Sequence, residues 1–152
     1  EAIKLDLELG FRHSEIVALK WDYVDLERRE IRLPDTKSGR PFRQPLTDKA
    51  VQILSDLPRF NQWVFPSTVL QGNHISAVEK LLKRVCKNAG IEDFRVHDIR
   101  RSVGCSVLAA TGSLEMVAAV LNHTSYQTTK TYAMYHKDHV RKALEQHSQS
   151  VI

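Results

Sequence analysis

From Val96 to Ala110 an apolar residue recurs every three or four positions, at Val96, Ile99, Val103, Val107 and Ala110. At 3.6 residues per turn these five line one stripe of a helix, and a helix with such a stripe needs a core to bury it. His97, Arg100 and Arg101 share a different face, and Gly104 falls on that same face one turn after Arg100. One side of the helix is therefore core. The other presents a histidine, two guanidiniums and a gap without a side chain, a surface that a closely approaching anion such as a phosphate would suit. Taken alone, the pattern also describes an ordinary amphipathic helix with a solvated basic face.

The 152 residues suffice for one domain with a real core, and 42% hydrophobic with 26% charged residues is the balance of ordinary globular proteins. A formal net charge of +4 suits a polyanionic partner. No apolar run approaches the roughly 18 residues that cross a membrane, and no signal-peptide pattern is present. Cys86 and Cys105 sit in predicted amphipathic helices and form no close-spaced motif, so buried free thiols in a reducing cytoplasm are expected. The chain opens on Glu1 rather than Met and enters helix at once without a cap. A piece of a longer protein, lacking an upstream segment, is the expectation.

The fold class expected is mixed, mainly α with a small antiparallel β-sheet or hairpin in the N-terminal third. Residues 1–9 read as a helix with Ile3, Leu5, Leu7 and Leu9 as its apolar surface, broken at Gly10. A second helix runs from His13 or Ser14 to Trp21, with Arg12 at its N-terminal end and Glu15 three residues on, where a carboxylate can hold the guanidinium. Glu30–Leu33 alternates as a strand, Asp35-Thr-Lys-Ser-Gly-Arg40 is a hairpin tip carrying Lys37 and Arg40, and Arg43–Leu46 returns. Thr47 caps a helix to about Leu57, and a longer helix spans Ala77–Ala89 with Val78, Leu81, Leu82, Val85 and Cys86 apolar. Lys80, Lys83, Arg84 and Lys87 line its other sides, where they can lie along a nucleic-acid backbone or face solvent. Gly112 stops the His97 helix, Ser113 caps the next (Leu114–Leu121), and Asn122 ends that one in the left-handed conformation, holding His123 at a corner. Thr124–Gln127 matches a capping box for a short helix carrying Tyr132, and a last helix, His136–His147, has only the narrow stripe Val140, Ala143 and Leu144.

Arg12, Lys37, His97, Arg100, His123 and Tyr132 together form a coherent chemical set. Two arginines gripping non-bridging phosphate oxygens neutralise the charge that builds during attack on phosphorus. A tyrosine hydroxyl is a competent nucleophile, a lysine can protonate a departing sugar oxygen, and histidines can hold the phosphate and manage the tyrosine proton. No cofactor is implied. His13, His74, His136, His139 and His147 are read as solvated or structural, so no metal site is expected.

Five segments carry these residues in order: Gly10-Phe-Arg-His-Ser-Glu-Ile, Thr36-Lys-Ser-Gly-Arg, His97-Asp-Ile-Arg-Arg, Leu121-Asn-His123, and Thr128-Thr-Lys-Thr-Tyr132, with Tyr132 nine residues after His123. Each alone is weak. Together, over nearly the whole chain, they closely resemble the catalytic domain of the tyrosine recombinases, the phage integrase family. The resemblance implies that Arg12 and Arg100 clamp the scissile phosphate, that His97 lies beside it as a candidate proton acceptor, and that Lys37 is the general acid for the 5′-hydroxyl. It implies that His123 hydrogen-bonds the phosphate, that Tyr132 attacks it to give a 3′-phosphotyrosyl link, and that Glu15 supports Arg12. Arg40, Lys80, Lys83, Arg84, Lys87 and Arg101 are then expected DNA contacts, with a salt bridge the other reading of Arg101. Gly104 is expected to admit a neighbouring element, with the Tyr132 segment as one candidate, rather than the phosphate.

The family commonly has Leu-Gly-His where this chain has Leu121-Asn122-His123, a change that Asn tolerates. Tyr126 and Tyr135 flank Tyr132 at the wrong spacing for the nucleophile. The same resemblance implies double-stranded DNA as partner, a tetramer on DNA with the C-terminal helix exchanged between protomers, and an upstream core-DNA-binding domain beyond residues 1–152. It also implies a bacterial or phage-encoded protein at the nucleoid in the cytoplasm. A type IB topoisomerase-like DNA-relaxing enzyme and a non-catalytic DNA-binding module of the same fold are the competing functions.

Overall fold

A computed structural model describes the chain apart from Asp35, Lys37, Ser38, Ala77, His136, Val151 and Ile152; of Tyr126, Met134, Tyr135, Lys137, Asp138, Ala143 and Ser150 it describes the backbone alone. Two compact units emerge, Glu1–Arg101 and Ser102–Ile152. Among the described residues the chain is mainly helical, with one three-stranded antiparallel sheet in the first unit.

The first unit opens on α1 (Ala2–Leu9), which ends where Gly10 turns left-handed at φ 64° and returns its N–H to the Asp6 carbonyl at 2.7 Å. The helix buries Ala2, Leu5, Asp6 and Leu9. Leu7, expected inside, is 48% exposed, because residues 3, 5, 7 and 9 follow a two-residue period that no helix face can satisfy. The next helix, α2 (His13–Val17), stops well before Trp21. Tertiary bonds take over from helical ones there: Val64 N–H donates to the Leu19 carbonyl at 2.9 Å and Trp21 N–H to the Gln62 carbonyl at 2.9 Å, and Trp21–Tyr23 makes a 3₁₀ turn.

Strands β1 (Val24–Asp25), β2 (Glu30–Leu33) and β3 (Phe42–Pro45) follow in that spatial order, with Ile31 opposite both Val24 and Gln44. The alternation expected in β2 is present, Ile31 and Leu33 being buried. β1 was not foreseen, since two residues carry no readable period, and β3 starts one residue earlier than expected. At the hairpin tip Gly39, at φ 69°, donates its N–H to the Thr36 carbonyl, and the Thr36 hydroxyl donates to the Arg40 carbonyl. Lys37, between them in sequence, lies outside the described residues; Arg40 is exposed.

Thr47 caps α3 (Asp48–Ser55) by accepting the Ala50 N–H at 3.1 Å. Helices α2, α3 and α4 (Val78–Asn88) all pack on α1. The core joins Leu5, Leu9, Phe11, Ile16, Ile31 and Leu54. A smaller cluster joins Leu82 and Cys86 of α4 to Ile99 of α5 (Val96–Thr111). Only Val78, Leu82 and Cys86 of the expected apolar set on α4 are buried; Leu81 and Val85 are 42% and 49% exposed, because α4 meets its neighbours along a single i, i+4 line.

In the second unit α5 buries Val103 and Leu108 with Val117 and Leu121. Val107 is only partly buried and Ala110 is exposed, so the stripe rotates one position from its expected course as the helix changes packing partners. Gly112, at φ 65°, stops α5, and Ser113 accepts the Met116 N–H at 3.1 Å to start α6 (Leu114–Val120). Next come α7 (Tyr126–Thr129), a 3₁₀ turn over Lys130–Tyr135, and α8 (Lys137–Ser150). α7 begins one residue later than a Thr124–Gln127 capping box requires. On α8, Val140 and Leu144 are 50% and 63% exposed; the side chain of Ala143 and the whole of His136 lie outside the described residues. Both cysteines are free, Cys86 buried and Cys105 half-buried. No described helix is long and apolar enough to cross a membrane.

Candidate active site

In the first unit the site residues gather at the junction of α1 and α2. Arg12 is the N-cap of α2, in extended backbone just after the left-handed Gly10. Its N–H donates to Glu15 Oε2 at 2.9 Å and its guanidinium Nη1 to Oε1 at 3.0 Å, so one carboxylate holds both ends of the residue. The pair is largely shielded, with side-chain exposures of 25% and 12%, which screens it less than a surface pair. Arg100 is 5% exposed, and its Nη1 donates to the Gly10 carbonyl at 2.7 Å. The backbone that places Arg12 thus also places Arg100.

His97 sits one turn earlier on α5 and is exposed. Loss of hydration against its neighbours, followed by the positive charges of Arg101 and Arg100, lowers its pKa from the ordinary histidine value, with Asp98 opposing. The imidazole is thereby held neutral at physiological pH, the state that can accept a proton. Arg101 is itself engaged by Asp98 at 3.1 Å, the salt bridge anticipated as one of its readings.

Asp6, which the sequence reasoning missed, lies in this same cluster at 2% exposure. Among the described residues its Oδ1 has no hydrogen-bond partner. Burial pushes the carboxyl up to about 7, Arg100 working against that rise and Glu15 adding to it. The signal for it was the helical period: Asp6 falls four residues after Ala2 and three before Leu9, on the buried face.

In the second unit Asn122 is left-handed at φ 48°, and His123 N–H donates to the Ala118 carbonyl at 2.9 Å, which fixes the corner. Nδ1 of His123 lies 3.0 Å from the hydroxyl of Thr129, a residue with no exposed surface. Which ring nitrogen of His123 carries the proton follows from which partner of this contact donates. Thr129 is a second residue that the reasoning missed; its place in Thr128-Thr129, six residues past His123, was the available clue. Tyr132 is 6% exposed and tilted against His123, ring centroids 6.3 Å apart. Its ring fills the space at Gly104, as expected: a Cβ built there would stand 2.5 Å from Cε1 and 2.9 Å from the hydroxyl oxygen.

The predicted residues therefore fall into two sets. Arg12, Glu15, His97 and Arg100 are gathered in the first unit, His123 and Tyr132 in the second, and Lys37 lies outside the described residues. Lys80, Lys83, Arg84 and Lys87 all lie exposed on α4. The side chains of Tyr126 and Tyr135 are outside the described residues.

The profile of the phage integrase family matches residues 1–139. A shufflon-specific DNA recombinase of Escherichia coli is 31% identical over 84% of this chain and 32% of its own length. The integrase of Salmonella phage P22 is 26% identical over 95% of this chain and 41% of its own, and the tyrosine recombinase XerC of Roseiflexus castenholzii is 34% identical over 81% and 43%. The chain thus spans about a third to two fifths of the length of these relatives. In fold it is similar to the crystal structure of XerA recombinase (TM-score 0.77, 24% identity, 96% of this chain and 57% of the other) and to the catalytic domain of bacteriophage HP1 integrase (TM-score 0.70, 20% identity, 95% and 79%). With its profile match running unbroken from the Arg12 junction past Tyr132, this chain belongs to the phage integrase family.

Proposed function

We propose that the chain is the catalytic domain of a tyrosine-type site-specific DNA recombinase, cutting and rejoining duplex DNA through a 3′-phosphotyrosyl intermediate. The observation that carries this reading is Tyr132 packed into the Gly104 gap beside His123. A tyrosine placed only for core packing has no use for a hydrogen-bonded histidine alongside it.

In the proposed reaction the Tyr132 oxygen attacks phosphorus, the bond to the 5′ oxygen breaks, and the phosphodiester energy is kept in the aryl ester, so rejoining needs no ATP. Arg12, oriented by Glu15, and Arg100, oriented by the Gly10 carbonyl, supply positive charge where the non-bridging oxygens gain negative charge. Neutral His97 takes the tyrosine proton, Lys37 protonates the departing 5′ oxygen to give the free hydroxyl, and His123 hydrogen-bonds the phosphate. Arg40, Arg101 and the α4 cations Lys80, Lys83, Arg84 and Lys87 contact the DNA backbone. An upstream core-DNA-binding domain completes the clamp, in a tetramer whose protomers exchange α8. The exposed Val140 and Leu144 support that exchange, since a helix with such a stripe needs an outside partner. The protein would work at the nucleoid of a bacterial cytoplasm. Two of the relatives named above are recombinases and one an integrase, which supports recombination over relaxation or passive binding.

The test offers the full-length protein a pool of randomised nicked duplexes in which the cut fragment diffuses away. A covalent protein–DNA adduct joined at a 3′ phosphate is the expected result. Duplexes retained only non-covalently would overturn the reading. On the selected site, Thr129→Val should slow adduct formation roughly tenfold or more, because a misdirected imidazole costs about as much as other small misplacements. It should also lower stability by about 1–3 kcal/mol, the usual cost of a buried polar group left unpaired. Thr129→Ser should restore both in single-turnover cleavage and thermal unfolding.

A further inference from the structure

Asp6 has no place in the chemistry above, yet it is buried at 2% exposure and bonded through its main chain to Gly10, whose carbonyl orients Arg100. Its main-chain carbonyl accepts the Gly10 N–H at 2.7 Å, and the Gly10 carbonyl in turn accepts the Arg100 guanidinium at 2.7 Å. Its side chain leaves Oδ1 without a hydrogen-bond partner among the described residues. Among the described residues, Arg100 of α5 and Glu15 of α2 are the charged groups that act on this carboxyl. On the helices that also pack on α1, Lys49 of α3 pairs with Glu8 instead, and Lys80, Lys83, Arg84 and Lys87 of α4 are exposed. A carboxylate left in such a place is costly, and a buried acid meets that cost by holding its proton.

Resting on the reading of Arg100 as a phosphate clamp, we propose that Asp6 is a positioning residue for Arg100 that takes up a proton from solvent when a phosphate binds there, so that the clamp tightens as pH falls. The coupling is electrostatic. An ionised Asp6 draws on the same guanidinium charge that the phosphate needs, and a bound phosphate adds a negative charge to a cluster that already holds Glu15. Each anion therefore opposes the other, and protonating Asp6 relieves the conflict. The carboxyl's displacement to about 7 puts this exchange in the physiological range.

Linkage sets the sign. If phosphate binding raises the Asp6 pKa by one further unit, DNA binds about tenfold more tightly below both values than above both. The ratio of Asp6→Asn to wild-type affinity for the selected duplex should then rise from near one at pH 6 to about eightfold at pH 8.5. The isosteric amide behaves throughout as the protonated acid. Calorimetry in two buffers of different ionisation enthalpy should show proton uptake on DNA binding near neutral pH for the wild type, and correspondingly less for Asp6→Asn.

Urea unfolding without DNA examines the buried acid by itself. The native carboxyl keeps its proton up to about 7, whereas the unfolded chain releases it near 4, so stability should fall as pH rises between those values and level off above. Asp6→Asn should lack that slope. Should the amide variant not fold, a carboxyl carbon NMR titration of the wild type with and without duplex reads the same shift directly. Parallel pH profiles of binding and proton uptake for wild type and Asp6→Asn, or an Asp6 pKa unmoved by DNA, would overturn the proposal. Absence of an adduct at every pH would instead count against the recombinase reading.

Discussion

Replacing Tyr132 by phenylalanine should abolish the covalent protein–DNA adduct while leaving the fold and most duplex binding intact. The phenyl ring still fills the gap at Gly104 and still packs with Val103, Leu108, Val117 and Leu121, so the small core loses only a hydroxyl. Truncating the ring altogether would cost about 3–5 kcal/mol; deleting the hydroxyl should cost a fraction of that. Chemistry fares differently, because without the oxygen nothing can form the ester, and no residual rate is expected in a denaturing gel assay. Duplex affinity should hold, since backbone cations dominate it. Tyr126→Phe and Tyr135→Phe should still form the adduct. An adduct formed by Tyr132→Phe would move the nucleophile to another residue.

Gly104→Ala should damage the protein through the same ring. Two effects compete there. Alanine within a helix is favoured over glycine by about 1 kcal/mol. Against that, the new methyl would stand 2.5 and 2.6 Å from the ring carbons Cε1 and Cζ, closer than atoms can sit, and a ring that is 6% exposed has little room to retreat. Overpacking of this kind costs about 1–3 kcal/mol, so the clash prevails. The ring must shift, and displacing a nucleophile by about 1 Å slows attack roughly a hundredfold. Single-turnover cleavage and chemical denaturation measure the two consequences. In a Tyr132→Ala background the sign should reverse, and Gly104→Ala should become neutral or stabilising. An equal destabilisation with and without the ring would show that the helix itself, not Tyr132, needs the glycine.

What could be read from residues alone was what local chemistry determines. Gly10, Gly112 and Asn122 end helices because each accepts positive φ, and Thr47 and Ser113 start them because their hydroxyls accept an N–H two or three residues on. The pairing of Arg12 with Glu15 followed from spacing within one turn, whereas the bare Gly104 position alone suggested room for a phosphate and pointed to Tyr132 only through the family resemblance. The rest was set by partners distant in sequence. α2 ends early because residues 62–64 offer backbone bonds to Leu19 and Trp21. Leu81 and Val85 face outward because α4 has neighbours on one line only. Asp6 and Thr129 were passed over because polar residues are presumed exposed until a buried partner is known. Thr129 bonds His123, and Asp6 reaches Arg100 only by way of Gly10, links that no single helical turn displays.

Among the described residues, Tyr132 is one of five buried residues that hold the second unit's cluster together. As the proposed nucleophile it would carry the cut strand as well, and that double load bears on genome safety. Throughout a covalent intermediate the cut strand would be tied to a side chain that is also structural. A unit that unfolded in that interval would strand the break on a displaced tyrosine, beyond the reach of the groups that reseal it. The rejoining time therefore has to be short against the unit's unfolding time, a matter of kinetic rather than equilibrium stability. Substitutions at Val103, Leu108, Val117 or Leu121 that merely hasten unfolding should accordingly leave more persistent breaks, even where the rate of cutting is unchanged.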